Sequence, residues 1–398
     1  MHFRFMTAGE SHGKALVAII EGVPAGLRLD ADWVDRDLAR RMQGHGRGAR
    51  MKIEADRVEW LAGIRAGETL GSPIALIIRN RDWENWADVM AAEGEGEVRR
   101  RRVTRPRPGH ADLVGVLKYD RLDARDILER ASARETAARV AVGAVAKRLL
   151  AECGVEVGSH VISLGGIVAE PPALRPRPLN PAADASPVRV LDPGAEARMM
   201  ARIDEAKKAG DTLGGEIEVV VDGVVLGLGS HVAWDRKLDG RLAAMLMSIP
   251  AVKGVEIGLG FEAARRPGSG VHDPIDSGPA VDGRGAFRRR TNNAGGLEGG
   301  MTTGEPLVVR VAMKPISTLM APLPTVDLVA QAPAKAQSER SDVTAVPAMG
   351  VIAEALVAIV LADALLEKFG GDSVGELTRN VTGYLAALGA RWTALSGE

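Results

Sequence analysis

Short apolar runs and longer helical periodicities take turns along this chain. Residues 15–20 (Ala-Leu-Val-Ala-Ile-Ile) read as a short buried strand or helix, before a turn at Pro24 and Gly26. Asp30 or Asp32 caps a helix running to about Met42, with Trp33, Leu38 and Met42 on one side. Residues 44–48 form an open glycine loop, and 74–78 a buried strand. The spacing of Ile127, Ala131, Ala138, Val142, Val145 and Leu149 predicts one helix from near Asp123 to about Cys153, ended by Gly154. A polar helix over 196–209 stops at Gly210. Strands follow at 216–221, 252–261 and 307–313, with a helix over 238–247 between the first two. Two further helices cover 348–369 and 374–387, the first the most apolar segment of the chain. Segments 80–112 and 263–304 hold no convincing element, and loops of that length in a packed domain are usually functional or mobile. A Pro-rich stretch at 171–193 reads as an exposed connection.

The elements interleave without the regular alternation of a nucleotide-binding sheet. The expected class is therefore α+β, a sandwich of helices and mixed or antiparallel sheets. With 398 residues and 46% apolar content the chain can bury a large core, built from aliphatic side chains because aromatics are only 3%. The apolar stretch 343–366 carries Glu354 and Asp363, which marks a buried helix and not a membrane span. One cysteine, Cys153, excludes an internal disulfide framework, and no metal-ligand spacing is present. The cytoplasm is the expected location. Net charge is −1, so the overall field does not attract nucleic acid. The Arg99–Arg107 run lacks interleaved aromatics, which makes a nucleic-acid partner a poor reading.

Positive charge is instead local. Arg36, Arg40, Arg41, Arg47 and Arg50 form one group, Arg99 to Arg102 with Arg105 and Arg107 a second, and Arg288 to Arg290 a third. Two histidines sit in tight polar settings near them. His12 lies in Gly9-Glu-Ser-His-Gly13 and His110 in Arg105-Pro-Arg-Pro-Gly-His-Ala-Asp112. Imidazole exchanges protons near neutral pH, and a neighbouring glycine lets a ligand approach the backbone. On the long helix, Arg130 and Arg134 stand four apart on one face with Ser132 at the same level, either as a solvated face or as a forked anion grip. Ser341 or Asp342 caps the apolar helix that follows, or Asp342 serves as a base beside Arg340; both readings stand at this point. Apparent nucleotide motifs fail. Gly13-Lys14 has Ala8 where a P-loop needs glycine and Ala15 where it needs Ser or Thr. The G-x-G-x-x-A patterns at Gly44 and Gly258 lack the strand–turn–helix context. The remaining readings are a small-anion enzyme and, less specifically, another lyase acting on a phosphorylated carboxylic acid.

Taken together, several phrases resemble chorismate synthase. They are Gly9-Glu-Ser-His-Gly13, the His110 segment, Arg130-Ala-Ser-Ala-Arg-Glu-Thr136, Asp211-Thr-Leu-Gly-Gly215, Val252-Lys-Gly-Val-Glu-Ile-Gly258, Thr291-Asn-Asn-Ala-Gly-Gly-Leu-Glu-Gly-Gly-Met301, Met313-Lys-Pro-Ile-Ser-Thr318 and Arg340-Ser-Asp342. The resemblance covers nearly the whole chain. It implies a β–α–β sandwich forming one catalytic domain over residues 1–398, and a homotetramer. The implied reaction is a 1,4-anti elimination of phosphate from 5-enolpyruvylshikimate-3-phosphate, giving chorismate. It requires reduced FMN (FMNH2), with no net redox change.

Carried over by motif, His12 protonates or steadies the reduced flavin, His110 protonates the departing phosphate, and Asp342 moves a proton by way of the flavin N5. Ser11 and Ser132 support them. Substrate anions fall to Arg41, Arg47, Arg50, Arg134 and Arg340. Flavin contacts fall to Arg130, Ala131, Ser132, Pro250, Ala251, Gly299, Lys314, Pro315, Ile316, Ser317, Thr318 and Arg340. In the family the positions of Arg41 and Arg47 are also associated with NADP; here both are assigned to substrate. His45 stands where an aromatic is common, and Pro250 where Asn or Gln is common. No segment reads as an NADPH-binding flavin reductase, so an external source of reduced FMN is expected.

Overall fold

Period-2 burial builds two antiparallel sheets, and almost continuous apolar sequence builds the helices between them. The computed structural model describes residues 2–48, 55–93, 101–277, 287–338 and 341–396, apart from the side chains of 392–396. In the first sheet the strands run in the order Arg4–Ala8, Ala15–Glu21, Ile74–Arg79, Val58–Ala62. The second runs Val252–Ile257, Leu307–Met313, Gly215–Asp222, Glu156–Leu164, Ile167–Val168. Every pairing within both is antiparallel. Helices Thr136–Ala151 and Val346–Phe369 lie between the sheets and share one hydrophobic core with both. The expected sandwich is therefore the observed architecture.

The two central helices approach closely at Gly143, where an added Cβ would stand 2.3 Å from the Ala355 Cβ. Only glycine fits there. The most apolar 18-residue window of helix Val346–Phe369 has a mean hydropathy of 2.2, yet 94% of that window is buried inside the protein, so its hydrophobicity is spent on the core. Glu354, in the middle of this helix, is fully buried. It is balanced by Arg40 at 2.9 Å, Lys147 at 2.6 Å and Arg189 at 3.1 Å, and accepts hydrogen bonds from the Ser159 hydroxyl and the Asn180 amide. Asp37 and Asp184 complete the charge balance.

Several expectations need correction. The helix expected over 123–153 is two helices, Arg125–Ala131 and Thr136–Ala151, separated by Ser132 in extended conformation and a short 3-10 turn. The Ser132 hydroxyl accepts the Arg134 backbone N–H at 3.3 Å, so an N-cap sits inside an unbroken hydrophobic period. Arg130 and Arg134 consequently do not share a helical face. Residues 171–193 are not an exposed connection. They contain helix Leu179–Asp184, bury Leu179, Ala183, Val188 and Arg189, and send Asn180 and Arg189 to Glu354. The strand Glu156–Leu164 escapes periodicity because its buried positions include Gly158, Ser159 and His160, made tolerable by Glu354 and, at 3.5 Å, Glu218. The strands Arg4–Ala8 and Val58–Ala62 were likewise not expected. Helix Ala31–Met42 is capped by Asp30 and buries Val34, Leu38 and Arg41, not Trp33 and Met42. The 263–304 segment holds two small hairpins and is knotted by Asp273, which accepts backbone N–H groups from Asn293 and Ala294.

The Glu354 network generates a stability prediction. Burial alone would raise the Glu354 carboxyl, but Lys147, Arg40 and Arg189 outweigh it and hold the group well below its ordinary 4.5. A depressed carboxyl contributes its full stability above pH 4.5 and loses it as acid approaches the folded-state value. Glu354→Gln should lower unfolding free energy by about 3–5 kcal/mol at pH 7, read from the urea midpoint, and flatten the acid limb of the stability profile. A loss below about 1 kcal/mol would show that the network is not structural.

Candidate active site

Four groups of side chains gather the candidate residues. The first is built on the turn between strands Arg4–Ala8 and Ala15–Glu21. His12 Nδ1 lies 2.9 Å from Glu129 Oε1, and the His12 backbone N–H donates to Oε2 of the same carboxylate at 2.9 Å. Ser11 donates its backbone N–H to the Glu129 carbonyl, and the Ser132 hydroxyl donates to Ser11 Oγ at 3.1 Å. The extended break at Ser132 is what brings that hydroxyl to the glycine turn.

The second group is a buried cation pair. Arg134 sends both Asp56 carboxylate oxygens hydrogen bonds of 2.6 and 2.7 Å and donates through Nε to the Asn80 side-chain oxygen Oδ1. Arg41 donates to Thr136 Oγ1 and the Ala133 carbonyl. Among the described residues its Nη1 is buried without a hydrogen-bond partner, the nearest Asp56 oxygen being 3.7 Å away. Burial, more than the neighbouring Arg134 and Arg47, pushes the Arg41 guanidinium down to about 10 against the pull of Asp56. A buried guanidinium with an unsatisfied donor is a ready receptor for a carboxylate or phosphate oxygen.

The third group lies in the glycine loop. Asp342 accepts the Gly48 backbone N–H at 2.6 Å and pairs with Arg47 at 2.8 Å. Asp342 is therefore not a helix cap; the helix begins at Val346 with Thr344 Oγ1 accepting its N–H. Arg47 and Asp342 line a cleft of about 490 Å3 that also holds His45, Asp204, Lys207, Thr212 and Thr318. His45 pairs with Asp204 at 2.8 Å, so its departure from an aromatic leaves a polar latch at this wall.

The fourth group surrounds His110. Its Nδ1 lies 2.5 Å from Asp112 Oδ1, and Asp112 also accepts from Arg107 Nε at 2.9 Å. Burial would raise the Asp112 carboxyl, but the hydrogen bonds and charges of His110 and Arg107 hold it far below the ordinary range. Asp112 thus stays ionised and can only accept from Nδ1, which leaves Nε2 as the ring nitrogen not engaged by this carboxylate. Arg107 donates onward to Thr318 Oγ1 at 2.9 Å, which ties this group to the cleft.

The expected flavin residues are partly assembled. Lys314 donates its backbone N–H to the Ala251 carbonyl at 3.0 Å and its ammonium to the Gly109 carbonyl at 2.6 Å. Ile316 accepts from Thr212 Oγ1. Ala251, after Pro250, holds φ of 69°, a conformation a non-glycine residue adopts only when its surroundings impose it. Pro315 and Ser317 complete the Lys314–Thr318 segment. Arg130 instead bonds the Thr7 and Gly9 carbonyls, with Ala131 beside it at the helix end. Gly299 lies in the turn beside His231 and Met301. Arg50 and Arg340, and from the arginine run Arg99 and Arg100, lie outside the described residues. Neither His12 nor His110 lines the 490 Å3 cleft itself. No role is assigned from the sequence to Glu129, Asp56, Asn80 or Asp112. Of these, only Asp112, two residues beyond His110, stood close enough in sequence to betray its role.

The sequence model of the chorismate synthase family matches residues 3–366. Chorismate synthase of Trichlorobacter lovleyi is 59% identical over 389 residues, 97% of this chain and 99% of that one. That of Salinispora tropica is 58% identical over 396 residues, covering 98% and 100%. A crystal structure of chorismate synthase superposes with a TM-score of 0.78 at 44% identity, covering 98% of this chain and 99% of that one. The chain belongs to the chorismate synthase family, and is by that membership a carbon–oxygen lyase of the shikimate pathway.

Proposed function

We propose that the four groups carry out the 1,4-anti elimination of phosphate from 5-enolpyruvylshikimate-3-phosphate, with FMN as the flavin. The carrying observation is His110, committed through Nδ1 to Asp112 beside the Arg107 guanidinium. That is the equipment for releasing a phosphate: a proton donor and a cation at one place. In the reaction the C–O bond to phosphate breaks with its electron pair, a C–H proton leaves, and a new C=C bond forms.

His110 delivers the proton to the leaving oxygen through Nε2. Arg41, Arg47 and Arg134 hold the substrate's carboxylates and phosphate, with Arg50 and Arg340 assigned to the same task. Asp342, gripped by Gly48 and Arg47, takes up a proton at the cleft. His12, set by Glu129, Ser11 and Ser132, handles a proton at the flavin. The donor set fits FMN: Lys314 and Arg130 offer positive charge, Ser317 and Thr318 hydroxyls, and Ala251 a backbone held in an uncommon conformation. When bound, reduced FMN supplies the electron density that eases departure of the phosphate.

A separate reductase supplies that flavin. Supporting this, the Gly258 pattern leads into a 3-10 turn at Gly260–Arg265, not into a phosphate-binding helix. The protein works as a homotetramer in the cytoplasm. The outer face of the first sheet supports assembly, because Met6 and Ile19 pair there while 71% and 48% exposed. Single catalytic-domain organisation agrees with the one core shared by both sheets.

Anaerobic incubation of the protein with the enolpyruvyl substrate and chemically reduced FMN should yield chorismate; no product, or product without flavin, would contradict the reading. His110→Ala should lower kcat about 10²–10⁴-fold with substrate still bound, and a full kcat would remove its role. Arg47→Ala should act chiefly on KM. Asp56→Asn should destabilise the ligand-free protein by about 3–5 kcal/mol. Excess inorganic phosphate should then raise its Tm more than that of the parent protein, since a bound anion replaces the lost charge. Equal phosphate responses would argue against an anion site at Arg41 and Arg134.

A further inference from the structure

His12 is enclosed more completely than proton chemistry alone requires. The Trp86 ring stacks on its imidazole with centroids 4.0 Å apart and planes 26° from parallel. Glu129 holds the same residue from another side, accepting both its ring and backbone N–H groups. Arg125 joins the two walls. Its Nη1 lies 2.9 Å from Glu129 Oε1 and its guanidinium carbon 4.9 Å from the Trp86 centroid. Contacts therefore close a circuit from imidazole to carboxylate to guanidinium to indole and back. Each wall is anchored in turn. Trp86 Nε1 donates to Asp82 at 3.0 Å, Arg101 lies 4.3 Å over the same ring, and Arg125 donates to the Arg101 carbonyl at 2.8 Å. Glu129 is almost wholly buried, and its carboxyl is held below the ordinary range because hydrogen bonds and charge from His12 and Arg125 overcome the cost of burial.

We propose that Trp86 and Glu129, bridged by Arg125, are positioning residues that cage His12 in one tautomer and one ring plane, the inference resting on His12 as the proton-handling group named above. A glycine-flanked histidine on a turn has many rotamers, and each wrong one misdirects its proton. The carboxylate fixes the proton on Nδ1, so transfer must use Nε2. The indole face, stacked 4.0 Å from the imidazole, removes the remaining freedom of the ring plane. Segment 80–93, which carried no element in the sequence, becomes by this inference a wall of the site built around Trp86.

The cage is tested on the full chain with 15N-labelled histidine rings, the His12 signals being those lost in His12→Gln. The neutral His12 ring should carry its proton on Nδ1, and Glu129→Ala should redistribute it towards Nε2. A parent protein already protonated on Nε2 would overturn the proposal without reference to any variant's folding. Trp86→Leu should cut kcat on the order of 10- to 100-fold with KM within about twofold, and Trp86→Phe should restore most of it, because a ring remains. An unchanged kcat in Trp86→Leu, or equal losses in the Leu and Phe variants, would also overturn the cage. If His12→Gln itself retained full kcat, the assignment of proton handling to His12 would fail, and the cage would then be decided by the nitrogen spectra alone: protonation on Nδ1 that moves towards Nε2 in Glu129→Ala keeps it, and any other pattern overturns it.

Discussion

The ion pair between Arg134 and Asp56, both almost inaccessible to water, is the contact on which the site's shape depends. Two guanidinium groups, Arg41 and Arg134, cannot be buried side by side unless negative charge accompanies them. Asp56 provides it, reaching Arg134 at 2.6 Å and Arg41 at 3.7 Å. One carboxylate cannot satisfy both, and the surplus is visible as Arg41 Nη1, which has no hydrogen-bond partner among the described residues. That imbalance is tolerable in a protein whose ligand carries two carboxylates and a phosphate. To place Arg134 there the chain abandons its helix at Ser132, and the same break hands the Ser132 hydroxyl to Ser11.

The two histidines follow a common construction. Each binds a buried carboxylate through Nδ1: Glu129 for His12 and Asp112 for His110. Each carboxylate is also held by an arginine, Arg125 or Arg107. The carboxylates are kept ionised by these partners in spite of burial, which keeps the rings oriented before any ligand arrives. The Glu354 network fixes the helix that carries both Arg40 and Arg41, so the charged core bears on the proposed anion site through adjacent residues.

Segments with a clean period and clear ends were legible in the sequence. The strand at 307–313 and the helix at 238–247 fall where expected, and Gly210 ends its helix in the left-handed conformation. Legibility failed where a polar contact distant in sequence overrides the local pattern. The Ser132 break is invisible because Ala131 and Ala138 keep the helical period on both sides of it. Strand Glu156–Leu164 is buried through Ser159 and His160, whose partners Glu354 and Glu218 lie far along the chain. The site shows the same division. His12, His110 and the arginines announce themselves by motif, whereas Glu129 is 117 residues from His12 and Asp56 is 78 from Arg134. The motifs name the groups proposed to meet the ligand; of the buried carboxylates that hold them, Asp112 lies two residues from His110, whereas Glu129 and Asp56 have no local signature.

The proposed function requires the oriented imidazoles and carboxylate-held arginines to converge on one phosphorylated diacid. The most direct measurement is an experimental structure of the ternary complex with oxidised FMN and 5-enolpyruvylshikimate-3-phosphate. The phosphate should lie within hydrogen-bond distance of His110 Nε2 and Arg107, and an anionic oxygen of the substrate on Arg41 Nη1. A substrate bound with its phosphate remote from His110, or with Arg41 Nη1 still unsatisfied, would contradict it.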